Sequence, residues 1–319
     1  MVALKEVQEA YERIRGVANH TPIMTSSTID YNGYHVFFKC ENFQKGGAFK
    51  FRGAYNTISQ LTDDEKRRGV ITHSSGNHAQ AVALACSLLG IKATIVMPEN
   101  SPRVKVEATR GYGAEIVFCQ NSVESRARVA GELMNEHGYT LVHPYNDERI
   151  VAGAGTAALE LIQDAPPLNT LCVPVGGGGL LSGMAVATKG LSPDTRVIGV
   201  EPKNADDAQR SFREGHIFPS VRPDTIADGL KTQLGDITFP IIRRLVDDII
   251  TVTEEEIVGA MRHLWERMKI VVEPSGAVPL AGVLKMSDSL QEQNVGVILS
   301  GGNVDLDLFF DHLRRPHAG

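Results

Sequence analysis

Lys50 stands between two phenylalanines, in the run Gly46-Gly47-Ala48-Phe49-Lys50-Phe51-Arg52-Gly53-Ala54. Apolar neighbours would partly desolvate its ammonium. Desolvation disfavours the charged form and frees the amine as a nucleophile toward carbonyls. A single lysine near a helix start is more often solvated, so its meaning depends on three other stretches. His73-Ser74-Ser75-Gly76-Asn77-His78 joins a strand-like run to a helical one. Backbone N–H groups at such a helix start, with Ser and Asn donors beside them, suit a carboxylate; an ordinary Ser/Asn cap has the same composition. Gly176-Gly177-Gly178-Gly179 lies between a strand and a helix, where bare backbone can wrap an oxyanion closely. It has neither the GxGxxG spacing of a dinucleotide fold nor the Lys-Ser/Thr of a P-loop, so a phosphate monoester is its natural guest. Ser300-Gly301-Gly302-Asn303 closes the last strand-like run. Ligands of α/β sheets gather at such ends, and a serine there can exchange a hydrogen bond with a ring nitrogen.

The elements that must hold these residues alternate. Apolar spacing predicts a helix from about Leu4 to Ala18, stopped by Thr21-Pro22. A strand over 36–40 precedes the Lys50 helix, expected over 48–58, and Thr62-Asp63-Asp64-Glu65 reads as a capped helix start. Strands are expected at 69–73, 93–98, 115–119 and 140–144, with helices at 79–89, 103–110 and 122–137 between them. A helix near 150–162 follows, then strands at 170–175, 196–200, 248–252 and 295–299, with Thr253-Glu254-Glu255-Glu256 starting another helix. Short apolar strands alternating with helices imply an α/β fold built on parallel sheets with both faces covered. No repeat, low-complexity segment or composition shift marks a boundary, as expected when one domain is inserted within another.

Composition narrows the function classes. The 319 residues are 42% hydrophobic and 22% charged, ordinary for a globular protein with a sizeable core. A net charge of −6 without a basic run points away from nucleic-acid and membrane partners. Cys40, Cys86, Cys119 and Cys172 form no CxxC pair and read as reduced core residues. No signal-like segment opens the chain and no apolar run is long enough to span a bilayer, so a cytoplasmic protein is expected.

In order and spacing, the Lys50, Ser74–His78, Gly176–Gly179 and Ser300–Asn303 segments closely resemble those of the fold-type II pyridoxal-phosphate enzymes, in the serine/threonine dehydratase and serine racemase branch. The resemblance covers essentially the whole chain. It implies two three-layer αβα domains with mainly parallel sheets. The larger, cofactor-holding one would comprise 1–68 and 147–319, and a small mobile one 69–146. The site would lie in the cleft, which the small domain closes, and the protein would be a homodimer.

Residue by residue, the resemblance implies that Lys50 bonds the aldehyde of pyridoxal 5'-phosphate and that Phe49 packs on its ring. Asn77 would face the ring's phenolic oxygen, Gly176, Gly177, Gly178 and Gly179 its phosphate, and Ser300 its nitrogen. Ser74, Ser75, Gly76, Asn77 and His78 would hold the substrate carboxylate. A serine at the ring nitrogen makes a weaker electron sink than a carboxylate would, which fits elimination. The expected reaction releases ammonia and a 2-oxo acid from a small 3-hydroxy amino acid: L-threo-3-hydroxyaspartate, L-serine or L-threonine. Ser75, across the ring from Lys50, would also permit racemisation of serine or aspartate. Glu201, the Ala205 carbonyl and Asp207 match positions that ligate a divalent cation in such racemases, Mg²⁺ or else Mn²⁺ or Ca²⁺. Arg126, and less directly Thr232 and Tyr145, are candidates for the distal end of the substrate. Gly46-Gly47-Ala48 departs from the more polar residues that precede the lysine in mammalian relatives.

Overall fold

Among the described residues, ten strands form two sheets, with helices packed against them. A computed structural model of the chain describes residues 1–30, 33–101, 103–306 and 310. The strands are β1 (Ile23–Met24), β2 (His35–Cys40), β3 (Val70–His73), β4 (Ala93–Pro98), β5 (Glu115–Cys119), β6 (Thr140–Leu141), β7 (Thr170–Pro174), β8 (Arg196–Pro202), β9 (Asp248–Val252) and β10 (Asn294–Leu299). The larger sheet has the order β1-β2-β10-β7-β8-β9 and the smaller β5-β4-β3-β6. Every pairing is parallel except β1 with β2. The fold is therefore the mixed, mainly parallel α/β arrangement expected.

Central strands are buried on both faces, as helices on each side require. All residues of β4 and β7 are buried. Two apolar clusters flank the larger sheet and a third fills one side of the smaller. The helix Lys50–Ser59 contributes Phe51, Ala54 and Ile58 to that third cluster, beside Val70, Val82 and Ile95 of the smaller sheet's layer. Lys50 thus starts a helix that packs with the smaller sheet, at the end of a chain segment leaving the larger one. All four cysteines are buried and free.

Most elements lie where the spacing placed them; β4, β5 and β9 coincide with expectation. The helix Asp63–Arg68 carries the Thr62/Glu65 capping box. β6 stops at Leu141, short of the expected 144, and His143 then turns the chain by accepting the Tyr145 and Asn146 backbone N–H groups. The helices Asp207–Glu214, Thr238–Leu245 and Pro274–Lys285 escaped the sequence reading. Proline obscured two of them: Pro240 sits in a first turn, where its missing N–H is harmless. Pro274 opens its helix and Pro279 lies inside it.

Candidate functional site

The carboxyl ends of β2, β7 and β10 in the larger sheet and β3 and β6 in the smaller one feed the stretches singled out by chemistry. β2 leads to Lys50 through two short 3-10 turns, Glu41–Phe43 and Lys45–Gly47. The turns need Gly46 and Gly47, both at positive φ (68° and 73°). The segment is then joined to the end of β10. Phe49 N–H donates to the Ser300 carbonyl at 3.0 Å, Gly302 N–H to the Gly47 carbonyl at 2.9 Å, and Ala48 bridges Gly301. Phe49, Lys50 and Ser300 are thereby brought together.

The Lys50 ammonium lies 5.1 Å from the Phe49 ring centroid and donates to the Pro144 carbonyl at 2.7 Å. Crowding by protein lowers its pKa to about 8, against a smaller upward pull from Glu273. A lysine so placed is neutral for roughly a tenth of the time at pH 7, far more than a free lysine, as a nucleophile or proton acceptor requires. Two residues on, Arg52 is fully buried and forked between Glu41 (2.7 and 2.9 Å) and Glu160 (2.7 Å to each oxygen). Lys39 completes this charge-balanced group with a 2.6 Å contact to Glu160.

Asn77 opens the helix Asn77–Leu89. Its amide donates to Glu273 at 2.7 Å and accepts from Asn303 at 2.9 Å. Glu273 is buried, and burial followed by the nearby Asp228 pushes its carboxyl well up from the usual range. Neither partner of Asn77 was assigned a role from sequence. The Glu273-Pro274 pair was the available signal, since a proline in a first helical turn often follows a cap.

The four glycines are buried, and Gly178 caps the helix Gly179–Leu191 at φ 87°. Their walls are tight: a Cβ on Gly177 would fall 2.3 Å from the Tyr145 ring, and one on Gly176 3.0 Å from the Leu230 backbone and 3.4 Å from the Thr232 hydroxyl. Thr238 Oγ1 donates to the Gly177 carbonyl at 2.8 Å. A helix N-terminus behind side-chain-free backbone is the donor set a phosphate monoester requires. With the Lys50 amine and Ser300 on the facing loops, these residues fit pyridoxal phosphate.

Ser74, Ser75, Gly76 and Asn77 are half-buried and line the mouth between β3 and the Asn77 helix. His78 is buried beneath them and donates from Nε2 to the Val142 carbonyl at 3.0 Å, leaving Nδ1 buried and unpaired. Burial, then the Lys50 charge, lowers its pKa to about 3. His143 packs edge-on between His73 (6.1 Å) and Tyr145 (4.8 Å), and burial followed by His73 lowers its pKa to about 4. Nothing in the local sequence around these histidines marks them as a cluster. Arg126, in the helix Val123–His137, donates to the Ser122 carbonyl at 3.4 Å, and its charge reaches His73. Tyr145 and Thr232 meet the glycine loop, while Arg126 lies within electrostatic reach of His73.

At the end of β8, Glu201 and Asp207 are buried and Ala205 lies in the turn between them. Glu201 accepts from the backbone of Ala208 (3.3 Å) and Gln209 (2.6 Å). Asp207 Oδ2 is buried without a partner. Burial raises both carboxyls, Asp207 to about 6 and Glu201 well above its ordinary value. Two crowded carboxylates and an orphaned oxygen fit a hard cation. Among the described residues, no group of three or more His, Cys, Asp and Glu side chains is placed to hold a metal. A set here would have to be completed by the carbonyl and water.

Residues 14–301 match the family model described as pyridoxal-phosphate dependent enzyme. The chain is 50% identical to L-threo-3-hydroxyaspartate ammonia-lyase of Saccharomyces cerevisiae over 303 residues, 94% of this chain and 93% of that one. It is 48% identical to serine racemase of Schizosaccharomyces pombe over 312 residues, 97% of each chain. The structure of maize serine racemase superposes with a TM-score of 0.94 at 45% identity, covering 98% of this chain and 97% of that one.

Proposed function

The chain belongs to the pyridoxal-phosphate dependent enzymes, and we propose that it releases ammonia from a small 3-hydroxy amino acid, L-threo-3-hydroxyaspartate or L-serine and L-threonine, leaving a 2-oxo acid. The observation that carries this is the Lys50 amine, its pKa lowered to about 8, which donates to the Pro144 carbonyl next to Tyr145, the ring that walls Gly177. When bound, pyridoxal phosphate acidifies the C–H bond next to the amine of the amino acid it carries. Lys50 takes that proton. The Ser74–His78 turn orients the substrate carboxylate through helix N–H groups and hydroxyls, and Asn77, Ser300, Phe49 and the four glycines hold the cofactor. Arg126 faces the distal carboxylate of hydroxyaspartate, with Tyr145 and Thr232 on the phosphate side. Likeness to the yeast ammonia-lyase supports this choice of substrate.

Likeness to serine racemases supports a second activity at the same site, racemisation of serine or aspartate, with Ser75 serving the face opposite Lys50. We also propose that Glu201, the Ala205 carbonyl and Asp207 hold a divalent cation, Mg²⁺, Mn²⁺ or Ca²⁺, as a structural or activating ion. Residues 69–146 form the body that closes over the cleft against 1–68 and 147–319, and the enzyme works as a homodimer in the cytoplasm. Four free buried thiols suit a reducing compartment, and no helix among the described residues is long and apolar enough to cross a membrane.

The test is turnover of a panel of hydroxy amino acids by the purified holoenzyme, with and without chelator. Ammonia, 2-oxo acid and the chirality of residual substrate are all read. Ammonia from hydroxyaspartate or serine is the expected result. Scrambled chirality without 2-oxo acid would make racemisation the main activity. Lys50→Ala should lose the visible absorbance of the cofactor bond and at least ~10³-fold in turnover.

A further inference from the structure

We propose that Glu273 and Asn303 are positioning residues that lock the Asn77 amide in one orientation, so that one of its N–H bonds is always presented to the cofactor ring. This rests on the reading of the site given above. A primary amide has one acceptor oxygen and two N–H donors, and a half-turn about its last torsion exchanges them. At Asn77 the oxygen accepts from Asn303 Nδ2 at 2.9 Å, and one N–H donates to Glu273 Oε1 at 2.7 Å. The half-turned amide would set N–H against N–H at Asn303 and oxygen against oxygen at Glu273. One orientation therefore prevails, and it leaves a single Asn77 N–H uncommitted.

Both partners are themselves fixed. Asn303 Nδ2 also donates to the Gly46 carbonyl at 2.7 Å, which sets its own amide and ties it to the turn before Lys50. Glu273 is 4% exposed, its backbone N–H donates to the Gly301 carbonyl at 3.0 Å, and a Cβ on Gly301 would lie 2.6 Å from its Oε1. Three loops thus converge on one amide: the approach to Lys50, the start of the Pro274 helix and the end of β10. The Glu273 oxygen that faces Asn77 serves as an acceptor, and the side-chain carbonyl of a glutamine reproduces it.

The experiment compares wild type, Glu273→Leu, Glu273→Gln and Asn303→Ala by the dissociation constant for pyridoxal phosphate and the visible absorbance maximum of the bound cofactor. Neither readout needs substrate. The expected result is about tenfold weaker binding and a shifted maximum for Glu273→Leu and Asn303→Ala, with Glu273→Gln within about threefold of wild type, as loss or retention of one buried hydrogen bond implies. An unshifted, tightly bound cofactor in Glu273→Leu overturns the proposal. So does a Glu273→Gln protein as impaired as Glu273→Leu, because charge and not acceptor geometry would then matter. Should both Glu273→Leu and Asn303→Ala fail to fold, the network serves the fold and the proposal is likewise wrong. A wild type that takes up no pyridoxal phosphate would instead sink the functional reading and this inference with it.

Discussion

Neutral histidines surround the amine of Lys50, and their cost appears in acid. His78 titrates near 3 and His143 near 4 in the folded protein, against 6.5 when unhindered. Between about pH 6.5 and 3 the unfolded chain therefore binds protons that the native state refuses. Stability is fully present above that window and is lost as pH falls through it. For His78 alone the loss at pH 5 is on the order of 1–2 kcal/mol. Urea midpoints should drop between pH 7 and 5, and His78→Gln should flatten the drop; a variant with the wild-type slope would show that His78 is not the titrating group. Ser75 bears on stereochemistry instead. If it supplies a proton from the face opposite Lys50, Ser75→Ala should slow racemisation of L-serine ~10²-fold. Dehydration of the same enantiomer should stay within a few-fold, because Lys50 is untouched. Equal loss of both activities would leave Ser75 as a carboxylate ligand only.

At the scale of elements, the glycine loop shows why some of the site could be read from sequence. Gly178 needs a left-handed backbone, and Gly177 has the Tyr145 ring where a side chain would go. Such demands admit one residue type, so the glycine run is conspicuous before any fold is known. Gly177→Ala should push the Tyr145 ring aside and weaken pyridoxal-phosphate binding ~10-fold or more. Gly259→Ala, in the helix Glu254–His263 with open space around it, should leave binding unchanged. Equal affinities by equilibrium dialysis would detach the loop from the phosphate. The strands and most helices were legible for a similar reason, since burial on both faces leaves unbroken apolar runs. Glu273 was not, because its contact with Asn77 spans 196 positions, and no local pattern records which carboxylate will be buried against which amide. The histidine pair was hidden in the same way: His73 and His143 meet only because β3 and β6 are neighbours in the smaller sheet.

Across the whole molecule, the two sheets contribute to one site, and among the described residues an ion pair beside that site links the layers of the two sheets. Lys105, in the helix Arg103–Gly111 beside the smaller sheet, pairs with Asp228 in the turn Asp228–Leu230. That turn is anchored on the other side, since Gly229 N–H donates to Ser275 Oγ at 3.0 Å and Leu230 backs Gly176. Lys105 is largely covered while Asp228 is half exposed, so the pair should contribute only about 1 kcal/mol or less. That is still enough to shift an opening equilibrium several-fold. If closure of the cleft depends on it, Lys105→Met should raise the KM for substrate roughly fivefold and change kcat less. The KM of the wild type should climb with ionic strength, and that of Lys105→Met should not, because salt screens a contact the variant lacks. Asp228→Asn should impose the same loss alone and little more in combination with Lys105→Met. Parallel salt dependences in wild type and variant would show that the ion pair has no part in closure, and the two sheets would then be held in register by their packed helices alone.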